Sequence, residues 1–267
     1  MKFAKSVSCA AGALLFGGTL GMVQTASAGI EINGHFYSGG YGGYGGYGGY
    51  GGYGGYGYGF GAAASTTQVG GGVFATTGGY WNAFSSPSFS ATSLLSASSL
   101  ATGVTFQQSM APTHAGTHST GPGWINGFGG GPNEALMNSY AYSKTTSVDP
   151  NTFIFAGLAS GSTFDLYIYT QPDGDGAGRR LGMTVEGVTQ TSSGASITEP
   201  NFVLGQNYLK FSGITVGASG TISGSWWMVQ GEADFNGFQL IETTPVPAPG
   251  AFAALIAAGL LRGRRRR

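Results

Sequence analysis

From Gly39 to Tyr56 the chain repeats Gly-Gly-Tyr without a break, and the pattern continues loosely through Tyr58 and Phe60 to Gly61. A segment of this kind builds no packed core. Glycine costs about 1 kcal/mol per residue relative to alanine in a helix, and a period of three sends successive tyrosines to opposite faces of a strand. Disorder is therefore the default expectation. A threefold extended helix is the one regular form that would align Tyr41, Tyr44, Tyr47, Tyr50, Tyr53 and Tyr56 along one edge. Two roles fit: a flexible spacer of long reach, or a self-associating segment. In the second, rings worth about 0.5 to 1.5 kcal/mol per contact add up through multivalency.

The capacity to fold lies elsewhere, from about Ser65 to Thr243. Roughly 180 residues is a normal size for one domain with a substantial core. Short runs rich in Val, Ile, Phe, Tyr and Thr recur there between turn residues: Val104 to Gln107, Thr152 to Leu158, Phe164 to Thr170, Met183 to Val188, Tyr208 to Val216, Thr221 to Met228 and Phe235 to Ile241. Such spacing predicts an all-β fold, a single antiparallel β-sandwich or jelly roll. Only Asn133 to Tyr140 reads as helical, with Asn133 as a cap ahead of Glu134-Ala135-Leu136-Met137. The resulting division is a signal peptide over 1–28, a Gly-Gly-Tyr linker over 29–64, the β-sandwich over 65–243 and a sorting tail over 244–267. On this division the sandwich is expected to fold without residues 29–64.

Both ends carry targeting features. Lys2 and Lys5 precede an apolar stretch from Cys9 to Val23, and Ala26-Ser27-Ala28 supplies a small-residue cleavage site, as in a secretory signal peptide. At the other end Val246-Pro247-Ala248-Pro249-Gly250 is followed by an apolar run from Ala251 to Leu261, then Arg262 and Arg264 to Arg267. As a helix that run would rise only about 16 Å against roughly 30 Å of hydrocarbon, which suits a processed tether with its basic end at the cytoplasmic face. This order of motif, apolar segment and basic cluster resembles the PEP-CTERM sorting tails of exported bacterial proteins, with Ala248 where the family usually has Glu. The resemblance implies a membrane exosortase as processing partner. It also implies a transient membrane tether and a location at the cell surface or in the extracellular matrix.

The formal charge of zero conceals an acidic exported part. Seven of the eleven basic residues lie in the two targeting segments, leaving Lys144, Arg179, Arg180 and Lys210 against eleven acids, a balance of −7. That argues against nucleic acid as a partner, because phosphate neutralisation needs Lys and Arg. Cys9, the one cysteine, precedes the signal peptide's cleavage site, so the exported chain holds together without disulfides and has no thiolate chemistry.

Enzymatic motifs are absent: there is no Gly-x-Ser-x-Gly elbow. His114 and His118 have i,i+4 spacing, but the prolines and glycines around them argue against the helix that a shared metal site would need. Asp173-Gly174-Asp175-Gly176 offers two carboxylates for calcium, yet lacks the later ligands of a full calcium loop and reads more readily as a solvated turn. No cofactor is expected beyond that calcium. Among the tryptophans, neighbours Trp226 and Trp227 must point to opposite faces of their strand, one to the core and one outward. Trp124 and Asn126 sit on a Gly/Pro-rich loop. Trp124, Asn126, Trp226 and Trp227 are thus the candidate sugar contacts.

The run Phe153-x-Phe155-x-Gly157-Leu158-x-x-Gly161-x-x-Phe164-Asp165-Leu166-Tyr167-Ile168-Tyr169 joins Tyr80-Trp81-Asn82, Asn207-Tyr208-Leu209-x-Phe211-x-Gly213-Ile214 and Asn236-Gly237-Phe238-Gln239-Leu240 in one order along the chain. That order resembles the galactose-binding-like jelly rolls common in PEP-CTERM proteins. Two non-catalytic functions follow. The main expectation is a structural or adhesive protein of the cell surface or polysaccharide matrix, binding polysaccharide or itself. The alternative is a dedicated carbohydrate-binding module. A concave groove with two or more exposed aromatic rings would favour the second.

Overall fold

Aromatic and β-branched side chains suit a pleated surface, and in the computed structural model the runs that carry them pair into three sheets. The structure describes residues 29–36, 72–73, 79–111, 115–119, 133–137, 139–171, 178–194 and 201–244. Along these residues run β1 (Glu31–Phe36), β2 (Trp81–Phe84), β3 (Phe89–Leu95), β4 (Ala101–Ser109), β5 (Ala115–Ser119), α1 (Glu134–Met137), β6 (Ser139–Ser143), β7 (Asn151–Ala156) and β8 (Thr163–Tyr169). Then come β9 (Arg180–Val185), β10 (Val188–Thr191), β11 (Tyr208–Thr215), β12 (Thr221–Gln230), β13 (Ala233–Phe235) and β14 (Gly237–Thr244). A five-stranded sheet has the order β11-β8-β14-β1-β2, a six-stranded sheet β10-β9-β12-β7-β4-β3, and a three-stranded sheet β13-β6-β5. Pairing is antiparallel except between β1 and β2.

The two larger sheets face each other across an aromatic core, so the chain is an all-β sandwich. Phe106 of β4 sits at its centre, with ring centroids 4.8 Å from Phe238 and 5.3 Å from Phe84 of the opposite sheet, and 4.7 Å from Phe155 of its own. Alternation along β8 sends Phe164, Leu166 and Ile168 into this core. Leu209 and Phe211 of β11 follow them.

Three expectations need correction. Glu31–Phe36, placed in the linker by the sequence, is an interior strand of the five-stranded sheet: it pairs with β14 on one side and the edge strand β2 on the other, and buries Ile32 and Phe36. The helix predicted to Tyr140 stops at Met137, because Ser139–Ser143 gains more by pairing with β5 and β13 than a single helical turn gains alone. Asn236 fixes the exit, its Nδ2 donating to the carbonyls of Met137 (2.8 Å) and Ser139 (3.1 Å). The single run Met183 to Val188 is a hairpin: Glu186 (φ 45°) and Gly187 (φ 81°) both take positive φ, which a tight two-residue turn requires.

A second layer covers the outer face of the five-stranded sheet. Trp81, Leu136, Met137 and Tyr169 form a smaller core, with Val73, Phe202 and Tyr208 packed on it. Polar groups in this layer satisfy one another: Tyr169 Oη bonds Gln239 Oε1 and accepts from the Val73 amide at 2.7 Å. Gln239 Nε2 donates to Asn33 Oδ1 at 3.0 Å, and Asn33 Nδ2 to the Tyr80 carbonyl at 3.2 Å. The described residues include no helix long and apolar enough to cross a membrane. The expected signal peptide, Gly-Gly-Tyr repeat and sorting tail lie outside the described residues.

His35 lies in the same layer, edge-on to Trp81 at 6.4 Å, and burial lowers its imidazole from the usual 6.5 to about 4. Between those values the unfolded chain binds more protons than the folded one, so stability is full above pH 6.5 and falls as pH drops towards 4. The expected loss by pH 4.5 is roughly 2 to 3 kcal/mol. Thermal melts between pH 7 and 4.5 should show it, and His35→Gln should flatten this slope whatever it does to the melting point at pH 7.

Candidate functional site

With one sheet face covered, the outer face of the six-stranded sheet becomes the open surface of the sandwich. β12 reads Ser223-Gly224-Ser225-Trp226-Trp227, and alternation splits the two indoles as expected. Trp226 points inward and is 0% exposed, edge-on to Phe235 at 5.7 Å. It is therefore a core residue that no sugar can reach, which corrects the expectation from sequence. Trp227 points outward and is half-buried.

The posture of Trp227 is set by a glycine on the neighbouring strand. Gly182 of β9 stands opposite Trp227, and a Cβ there would lie 2.6 Å from Cε2 and Nε1 of the indole and 2.8 Å from Val229 Cγ2. Lacking that atom, β9 lets the ring lie down over its backbone. The indole is thus backed by the sheet and partly exposed, a ring positioned before any ligand arrives.

Beside it runs a row of hydroxyls that the register assembles from five strands. Ser109 of β4 faces Thr152 of β7, Thr152 faces Ser225 of β12, Ser225 faces Thr184 of β9, and Thr184 faces Thr189 of β10. The Oγ1 atoms of Thr184 and Thr189 are 2.7 Å apart, so these two hydroxyls project on the same side. Ile154 and Val229, 39% and 41% exposed, add apolar surface to the same face. Charge enters only at its rims. Arg180 donates from Nε to the Ser192 carbonyl at 2.9 Å, and Glu186 Oε1 accepts from the amide (2.5 Å) and Oγ (3.0 Å) of Ser223.

The other cations of the sandwich are engaged away from this face. Lys210 pairs with Asp165 at 2.8 Å, and that carboxylate holds the Lys210 ammonium well above its usual range. Arg179 and Lys144 meet Glu232 at 3.1 and 3.7 Å. A groove of about 250 Å³ also opens between β10 and β11, lined by Val185, Val188, Phe211 and Ile214 with Glu186 and Gln190. Phe211 is buried there, and Gln190 Nε2 is committed to the Lys210 carbonyl at 2.6 Å, so the groove offers no aromatic platform.

Of the sequence-predicted site residues, only Trp226 and Trp227 fall within the described residues, and the structure sends them to opposite sides. Trp124, Asn126, Asp173 and Asp175 lie outside, as do Tyr41, Tyr44, Tyr47, Tyr50, Tyr53, Tyr56 and Val246 to Gly250. His118 is on β5 rather than on a helix, and His114 is not described. The described surface presents one outward tryptophan on a sheet face, where the sequence leads one to expect a groove with two rings. Gly182 and the hydroxyl row were not singled out from sequence. Their signal is four strand pairings that bring together residues up to 116 positions apart, counted from Ser109 to Ser225.

No protein-family model matches the chain, and no curated protein matches it. Solved structures similar to it include the CBM22-1 xylan-binding domain of Paenibacillus barcinonensis Xyn10C, at 14% identity over 41% of this chain and 75% of that one, with a TM-score of 0.26. TmCBM61 in complex with β-1,4-galactotriose is similar at 10% identity over 51% of this chain and 83% of that one, with a TM-score of 0.23. The CBM22-1–GH10 modules of Clostridium thermocellum xylanase 10B, complexed with xylohexaose, match at 8% identity over 55% of this chain and 27% of that one, with a TM-score of 0.28. Likeness at TM-scores this low transfers no ligand to this chain, and the face has to be judged on its own chemistry.

Proposed function

We propose that this chain is a non-catalytic, exported carbohydrate-binding protein that engages glycan on the outer face of its six-stranded sheet, with Trp227 as the anchor. The observation that carries the reading is the indole laid over Gly182 beside outward hydroxyls. A flat aromatic plane suits the apolar face of a sugar ring, while serine and threonine hydroxyls donate and accept alike and so match sugar hydroxyls in either sense. Preorganisation matters here, since a ring already fixed by its backing strand loses little freedom on binding. The secretory and sorting features at the two ends fit delivery outside the cell and processing by an exosortase. There, glycan binding would make the protein an adhesive component of a polysaccharide matrix.

Isothermal titration of the purified chain against soluble polysaccharides tests this reading. Trp227→Ala is expected to weaken binding at least tenfold while shifting the melting temperature by no more than a few degrees, because the side chain lies outside the core. Equal affinity of the variant and the parent chain, or no glycan bound by the parent, would contradict it.

A further inference from the structure

Resting on the carbohydrate reading, we infer that this face takes a neutral, extended polysaccharide lying across the strands, along the row Ser109–Thr152–Ser225–Thr184–Thr189, with one sugar stacked on Trp227. Direction comes from the register. Residues facing one another on adjacent strands are about 4.8 Å apart, so five strands give a row about 19 Å long. The Trp227–Gly182–Thr191 row lies one same-face step away along the strands, about 6.8 Å. A sugar on the indole therefore has its edge against the hydroxyl row, and its chain neighbours have further hydroxyls to either side. A chain end held in a pocket would need walls, and the described residues of this face build none.

The row is also chemically available. Within the described residues, the hydroxyls of Ser109, Thr152 and Ser225 make no hydrogen bond to another protein group, so each has both a donor and an acceptor to offer. Neutrality follows from what the face lacks. The outward positions between its rims are Ser, Thr, Gln, Gly, Ile, Val, Ala and Trp, with no cation to receive a carboxylate or sulfate. Arg180, the cation at the rim, keeps its charge but stands two same-face steps along β9 from Thr184, about 13 Å from the row, and spends its Nε–H on a backbone carbonyl, while Lys144, Arg179 and Lys210 pair with acids. Burying an anionic sugar here would leave its charge without a partner, and the acidic balance of the exported chain repels it from a distance.

The test is a length series of neutral probes, cello-, xylo- and manno-oligosaccharides of one to six residues, with oligogalacturonates as the anionic counterpart. They are titrated into the full exported chain and into its Ser109→Ala, Thr189→Val and Trp227→Ala variants, each first checked for an unchanged melting temperature. For at least one neutral series, affinity should rise tenfold or more between two and five residues. Ser109→Ala and Thr189→Val should weaken the five-residue ligand at least threefold and leave the two-residue ligand unchanged. Affinity that is flat beyond two residues, or insensitive to Ser109 and Thr189, overturns the extended placement even if Trp227→Ala still abolishes binding. Tighter binding of oligogalacturonates overturns neutrality. Binding by no series, or binding indifferent to Trp227, overturns the underlying carbohydrate reading as well.

Discussion

A chain truncated to residues 65–244 is expected to lose cooperative unfolding, whereas one beginning at Gly29 keeps it. β1 is the strand between β14 and β2, so its loss exposes the edge of β14 and leaves β2 without a strand to pair with. Ile32 and Phe36 leave the core with it, each worth about 1.5 to 3 kcal/mol of burial. Asn33 goes too, removing the acceptor of the Gln239 Nε2 hydrogen bond in a buried layer, and the β14 amides and carbonyls that paired with β1 lose their ladder. Together these losses are comparable to the whole stability of a typical domain, about 5 to 15 kcal/mol. Circular dichroism melts of the two fragments check this directly. A sharp transition in the 65–244 fragment, at the temperature of the longer one, would show that β1 is dispensable.

Phe106→Ala should be the most damaging single substitution in the core, by about 3 to 5 kcal/mol. Its ring touches both sheets: Phe155 and Phe153 at 4.7 and 6.1 Å on its own, Phe238 and Phe84 at 4.8 and 5.3 Å on the other. Removing it leaves a cavity walled by rigid rings, which collapse poorly into the space, and the edge and offset contacts among them are lost together. Phe106→Leu, which refills most of the volume, should cost markedly less. Chemical denaturation midpoints at matched slopes read both values.

How much of this was legible beforehand depended on whether a strand carries its own signal. β8 and β11 alternate aromatic or aliphatic with other residues, and their period of two is visible in the bare sequence. β1 is not visible, because Asn33, Gly34 and His35 break the apolar pattern and the strand stands directly ahead of the repeat. Its polar residues are buried through partners far along the chain, Tyr80 and Gln239 for Asn33, which no local window contains. The β9–β10 turn was missed for a similar reason: Glu186-Gly187 is a weaker turn signal than Asn-Gly, and the positive φ of Glu186 is held by pairing and by its bonds to Ser223. The helix at Asn133 was overrun because local propensity favoured it while the strand pairing of Ser139–Ser143 did not yet exist.

The candidate face divides along the same line. That Trp226 and Trp227 oppose each other follows from strand geometry alone. Which of them meets the core, and why the other lies flat, depends on Gly182, 45 positions before Trp227 in the chain and opposite it in the sheet. A hydroxyl row spanning five strands is a property of register, and register is what a sequence without its pairings conceals.

The most direct measurement of glycan binding on this face follows the Trp227 indole. In an amide-labelled sample the four tryptophan Nε1–H signals are assigned by single Trp→Phe substitutions. A neutral oligosaccharide that binds is then titrated in. A saturable shift of the Trp227 signal is expected, with Trp226, enclosed in the core, holding its position. Saturation of binding with the Trp227 signal unmoved would contradict it.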